Sequence, residues 1–320
     1  MTIRFYRSSA ILALASFTFP SLRADVTARY KAEVTMNPAL SALAAGAMKG
    51  PDLLAPQETA IRFKGTKGFS SLMGFASIVD SSNGEVTILD PAGMRFATTT
   101  VDQYRDEAAR AMPEMPPAAR ASMASMKTSV SPSRLTGRTA VIQGVEAEER
   151  EIILSMEGPA IPNAPTDPSV RIVMQLWTAK ADEATRVPAI REMAGHSLSV
   201  FGTMNPSASL DKMFKQFPGF ADAFEPMMKE MQNGTSVLRM HMDLYIPALA
   251  ALLKRTAAAG TAAANLDDKA PFMQMNQELV ELSTEPVPDS VFQVPEGYQK
   301  VPASEVLQAL FSGSKAAVKQ

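Results

Sequence analysis

Hydrophobic and polar residues alternate from Asp25 to Met36, with Val26, Ala28, Tyr30, Ala32, Val34 and Met36 on one side and Thr27, Arg29, Lys31, Glu33 and Thr35 on the other. A period of two predicts a strand with one buried face. Comparable segments recur at Glu58 to Lys64, Phe69 to Val79, Val86 to Leu89, Met94 to Thr99, Val141 to Val145, Arg150 to Met156, Val170 to Ala179, Val237 to Ile246 and Met273 to Leu282. Ser82-Asn83-Gly84, Asp90-Pro91-Ala92-Gly93 and Asn233-Gly234 supply residues tolerant of positive φ between several of them. Sequential strands joined by tight turns predict antiparallel sheet.

Helical spacing interrupts this meander rather than alternating with it, which argues against a doubly wound parallel sheet. Asp102 to Met112 reads as one helix, ended by the proline cluster from Pro113 to Pro117. From Ala181 to Gln232 the apolar spacing changes to three and four, through Leu210, Met213, Phe214 and Phe217 and then Phe220, Phe224, Met227, Met228 and Met231. That pattern predicts a block of two or three short helices. A last helix is expected from Ser304 to Phe311, with Val306, Leu307, Leu310 and Phe311 turned inward.

Two segments resemble each other: Pro38-Ala39-Leu40-Ser41-Ala42-Leu43 follows the first strand, and Pro247-Ala248-Leu249-Ala250-Ala251-Leu252 follows the strand from Val237. Proline suits the first position of a helix, and alanine and leucine favour its continuation. Both read as short apolar helices at strand ends, and neighbouring strands would place them at one rim of the sheet. They are either convergent alanine-leucine composition or paired flaps over a shared apolar cavity.

The N-terminus changes the setting. Arg4 and Arg7 precede an apolar run from Ala10 to Phe19, and Pro20 to Ala24 lead into Asp25. This is the layout of a secretory signal peptide over residues 1–24, cleaved near Ala24, with an uncleaved N-terminal anchor as the alternative. The run is about half the length of a membrane-spanning helix, so an exported protein, periplasmic or secreted, is expected, with no transmembrane segment in its mature form. The chain has no cysteine, which removes disulfides, thiolate nucleophiles and zinc-cysteine sites. Cleavage would remove Arg4, Arg7 and Arg23 and no acid, lowering the basic count from 31 to 28 against 33 acids. Such a surface does not attract nucleic acid.

Catalytic and metal-binding patterns are sparse. Gly195-His196-Ser197-Leu198-Ser199 is similar to a nucleophile elbow, but Val187 to Ala194 carries Pro188 and a helix-like pattern where a strand is required. Ser199 stands in place of the second glycine, and only His241 follows downstream. A serine hydrolase using Ser197 is therefore the minor alternative. Two histidines give no paired ligand spacing, and no Gly-rich nucleotide loop occurs, so neither metal nor cofactor is expected. His241 and Asp243 share one face of their strand. Glu146, Glu148, Glu149 and Glu151 read as a solvated run.

Methionine is abundant, at 21 residues. It fills irregular space and lines adaptable surfaces, so Met36, Met48, Met115, Met193, Met204, Met213, Met227, Met228 and Met231 either pack a core or line an apolar cavity.

The stretch Ser283 to Tyr298, with Asp289-Ser290-Val291-Phe292 and Val294-Pro295-Glu296-Gly297-Tyr298, resembles the ending of periplasmic LolA-like lipoprotein-carrier domains. Met174-Gln175-Leu176-Trp177-Thr178-Ala179-Lys180 is similar to the strand that precedes the helical excursion in that superfamily. The resemblance implies a single domain over residues 25–320, with helical insertions near 38–54, 181–232 and 247–264. It implies an α+β fold: a strongly curved antiparallel sheet, or half-barrel, with helices covering its concave face. The two alanine-rich insertions and the long helical block depart from the carrier pattern. The expectation is a non-catalytic protein holding a lipid or other apolar ligand, lined by Leu40, Leu43, Phe214, Phe217, Met227, Met228, Leu249 and Leu252. The alternative is an envelope protein-interaction or stress-sensing module on the same scaffold.

Overall fold

A computed structural model describes residues 24–37, 55–72, 74–111, 121, 125–158, 169–196, 236–256, 267 and 269–312. The alternating segments join in one thirteen-stranded sheet. Its first half is an antiparallel meander of β1 (Val26–Met36), β2 (Gln57–Lys64), β3 (Lys67–Leu72), β4 (Phe75–Asp80), β5 (Glu85–Asp90) and β6 (Arg95–Thr100). Helix α1 (Val101–Ala111) follows, then β7 (Lys127–Val130), β8 (Arg134–Ile142), β9 (Val145–Glu157) and β10 (Val170–Ala179). Helices α2 (Glu183–Arg186) and α3 (Pro188–His196) precede β11 (Val237–Tyr245), and α4 (Pro247–Thr256) precedes β12 (Met273–Ser283). The chain closes with the short β13 (Gln299–Lys300) and α5 (Ala303–Ser312).

The two halves meet where β12 returns to pair antiparallel with β1. Spatial order runs β13-β6-β5-β4-β3-β2-β1-β12-β11-β10-β9-β7, and β8 also pairs with β9. β7 takes the C-terminal end of β9 and β8 its N-terminal end, so both lie along one edge of that strand. The sheet is not closed, since β13 ends it on one side and β7 with β8 on the other.

This is an α+β protein built on a large antiparallel sheet, and most periodic segments fall where the alternation puts them. Two differ. Phe69 to Val79 is the hairpin β3–β4, because Gly74, at φ 79°, reverses the chain between apolar residues. Val141 to Val145 is a turn: Gln143 (φ 50°) and Gly144 (φ 76°) form the two-residue loop between β8 and β9, with the positive φ at both positions that a type I′ turn demands.

The main core lies on the face of the meander that carries Val26, Ala28 and Tyr30. Phe63, Val79, Val86, Ile88 and Ala97 continue it across the sheet, and Ala108 of α1, Ile190 of α3 and Val306 and Leu307 of α5 pack onto it. Ala76, Ile78 and Leu89 point to the opposite face, where Val287 and Phe292 cover them. The closing segment therefore covers the face of the meander opposite the main core. Phe292 ends a 3₁₀ turn (Asp289–Phe292), and Gly297, at φ 84°, swings the chain back so that Gln299 and Val301 donate to Met94 and Phe96 carbonyls before α5 begins.

Candidate functional site

Cross-strand register places three rows of side chains on one face of β9, β10, β11, β12 and β1. One row is Ile152, Met174, Met242, Met275 and Val34; the next is Leu154, Ile172, Leu244, Met273 and Met36. The third, nearer the main core, is Arg150, Leu176, Met240, Gln277 and Ala32. Arg150 and Gln277 are the only polar members. Burial grades across the rows: Ile152, Leu154, Met174 and Leu176 are buried, whereas the members on β11, β12 and β1 are half-buried.

The charged groups of β10, β11, β12 and β1 lie on the other face, with Glu149 and Glu151 of β9. Glu149, Trp177, Arg239, Glu278 and Lys31 form one row there, and Glu151, Gln175, His241, Asn276 and Glu33 the next. The Arg239 guanidinium lies 5.6 Å from the Trp177 ring centre and pairs with Glu278 at 2.8 Å. His241 contacts Asn276 Oδ1 through Nδ1 at 2.6 Å and Asp243 Oδ1 through Nε2 at 3.1 Å. Gln274 donates to the same Asp243 oxygen at 2.8 Å, and Arg171 stacks 4.4 Å over Tyr245. The shared face expected for His241 and Asp243 is observed, within a polar network rather than a site.

The four glutamates of β9 divide by parity instead of forming one solvated run. Glu146 pairs with Lys180 at 2.6 Å and Glu148 with Arg150 at 3.0 Å. On the opposite face Glu151 pairs with Arg134, while Glu149 is buried, at 1% exposure, and takes hydrogen bonds from Thr136 and Arg138. The solvated reading fails for Glu149, which is buried and whose carboxylate is held by Thr136 and Arg138 of β8.

Of the expected lining residues, Leu249 is half-buried on α4, which also carries Leu252. Leu40, Leu43, Phe214, Phe217, Met227 and Met228 lie outside the described residues, as do Ser197 and residues 1–23. The helix expected at Pro247 is present, and β1 and β11 both flank β12 and run in the same direction, so they end at a common rim. The residues before Ser197 form α3, a helix, where an elbow needs a strand. Met193 packs in the main core, and Met36 lies in the row with Met273. Sequence reasoning missed Met174, Met240, Met242, Met273 and Met275, although each sits at an inward position of a strand it had recognised.

Among the described residues no cluster of three or more histidines and carboxylates is placed to hold a metal ion, and no helix is long and apolar enough to cross a membrane. The sheet is open and mainly antiparallel, and across β10, β11, β12 and β1 the methionine rows are mostly apolar while the alternate rows are mostly polar or charged. No protein-family model matches the chain, and no curated protein sequence does.

Proposed function

We propose that this is an exported, non-catalytic binding protein that holds a lipid or other apolar ligand against the methionine-rich face, between sheet and helices. The observation that carries this reading is the run of three cross-strand rows whose apolar members on β11, β12 and β1 are only half-buried. Methionine side chains have three rotatable bonds and a polarizable sulfur, so they adapt to ligands of varied shape. The ionic side of the same strands leaves the apolar face as the place for such a ligand. The resemblance to LolA-like domains agrees with it, and on that reading the sheet is strongly curved with helices over its concave side.

Purification from the native host followed by solvent extraction and mass spectrometry should recover stoichiometric lipid. A Met242→Glu/Met275→Glu pair, neighbours across β11 and β12, should lower lipid recovery at least tenfold, and Met242→Leu/Met275→Leu should retain it. Lipid-free wild type overturns the reading.

A second reading, a protein-interaction module of the cell envelope on this scaffold, draws on the edge strand β8, where Leu135 is 54% and Val141 69% exposed. An edge strand with outward apolar side chains suits pairing with a partner's strand. A Leu135→Lys/Val141→Lys variant that loses a crosslinked envelope partner while keeping its lipid would establish this use.

A further inference from the structure

Burial along the apolar face is graded from one end to the other. On β1, Tyr30 is 8% exposed, while Ala32, Val34 and Met36 are half-buried. On β12, Leu279 is fully buried, and Gln277, Met275 and Met273 are half-buried. On β11, Met240, Met242 and Leu244 are half-buried. β1 and β12 therefore close at the same level, where Tyr30 and Leu279 are cross-strand partners, and with β11 they open in the same direction, toward the rim where β1 and β11 end.

Tyr30 makes the closure. Its hydroxyl donates to the Val237 carbonyl of β11 at 3.1 Å, although β12 lies between β1 and β11, so the phenol spans the intervening strand as a crossbar. Irregularities in pairing occur on both sides of this bar, at Arg29/Tyr30 between β1 and β12 and at Trp177/Thr178 between β10 and β11. Register slips of this kind bend the strand and sharpen the local twist.

We propose that Tyr30, backed by its cross-strand partner Leu279, is the floor of the ligand site and sets the longest alkyl chain the protein accepts. This rests on the carrier reading above. The occupant is one unbranched alkyl chain of a lipid, lying along the strands with its methyl end at Tyr30. Charge decides the choice: above the floor the face presents no ionisable group on β1, β11 or β12, because Lys31, Glu33, Arg239, His241, Asp243 and Glu278 all alternate to the other side. A charged or peptide ligand would lose its hydration there without compensation. The run from Tyr30 to Met36 is about 20 Å at the strand rise, a length suited to an extended chain.

The test is a binding series of straight-chain fatty acids, from decanoate to docosanoate, by displacement of a fluorescent fatty acid. Wild-type affinity should rise about fourfold per added methylene and then stop rising at a defined length. Tyr30→Leu should move that limit to longer chains and Tyr30→Phe should leave it in place. Ala32→Phe, one row above the floor, should move it to shorter chains, and it decides the matter if Tyr30→Leu does not fold. Fatty acids that bind with the limit unmoved in the folded variants overturn the role of Tyr30 and spare the carrier reading. If no chain binds wild type, both fall.

Discussion

Glu183 is a carboxylate with almost no access to water, at 2% exposure, and it is held by charge and geometry together. Arg186, one turn along α2, donates to it through Nε at 2.7 Å, and the backbone N–H of Glu146 donates at 2.9 Å. Arg186 also reaches the Gly144 carbonyl at 2.7 Å, so the pair fastens α2 to the β8–β9 hairpin. The Arg186 hydrogen bond, against the opposing effect of burial, holds the Glu183 carboxyl below its ordinary range. A carboxyl whose pKa is depressed by folding contributes stability above its unfolded value and loses it as the pH falls through the folded one. Glu183→Gln should therefore cost about 1–3 kcal/mol near neutral pH, and the cost should vanish in acid below the folded value. Urea titrations of both proteins across that range measure it, and a difference independent of pH would contradict the ionic role. None of this was legible in the sequence, where Glu146 and Glu183 stand 37 residues apart. The pairing of His241 with Asp243 was legible because two residues on one strand, two apart, must share a side.

At the level of elements, the closing segment is where a local sequence pattern has the widest structural effect. Phe292, 7% exposed, packs with Val287 on Ala76, Ile78 and Leu89, covering the face of β4 and β5 that the helices leave bare. Its approach is fixed from both sides: Asp25 accepts from the Val287 N–H at 2.8 Å, and Lys64 donates to the Val287 carbonyl at 2.9 Å and pairs with Asp289 at 2.7 Å. Phe292→Ala should cost about 3–5 kcal/mol, as buried aromatic truncations do. The midpoint of chemical denaturation reports it, and a loss under 1 kcal/mol would mean the segment rests loosely on the sheet. β1, β10, β11 and β12 could be read from alternation because one side of each is apolar. β7 and most of β8 could not, since an edge strand with residues such as Arg134, Thr136, Gly137 and Arg138 buries too little to show a period. The methionine face was half legible in the same way. Each inward methionine follows from its own strand's alternation, but the neighbour order β1-β12-β11-β10-β9 that gathers them depends on pairings across the whole chain.

At the scale of the molecule, the question is whether the meander β1–β6 and the returning strands β7–β12 fold as one unit. The main core draws buried residues from both halves: Val26 and Val86 from the first, Val145 and Leu238 from the second, with Ile190 of α3 and Leu307 of α5 in the same cluster. The halves also share the full length of the β1–β12 ladder and the Tyr30 bar across it. Separating them would expose the side chains at that junction, whose burial is worth about 1.5–3 kcal/mol for each large aliphatic residue, and would leave a long unpaired edge on β1. One cooperative transition is therefore expected. Trp177, the single tryptophan, lies on β10 in the second half and packs against the shared core, so its emission reports that half while far-ultraviolet circular dichroism reports both. The two signals should follow one curve in urea, for wild type and for Phe292→Ala alike, although Phe292 sits on the far side of the first half from Trp177. A dichroism change that precedes the tryptophan change in Phe292→Ala would show the meander melting alone, and would make the β1–β12 ladder a boundary between two folding units.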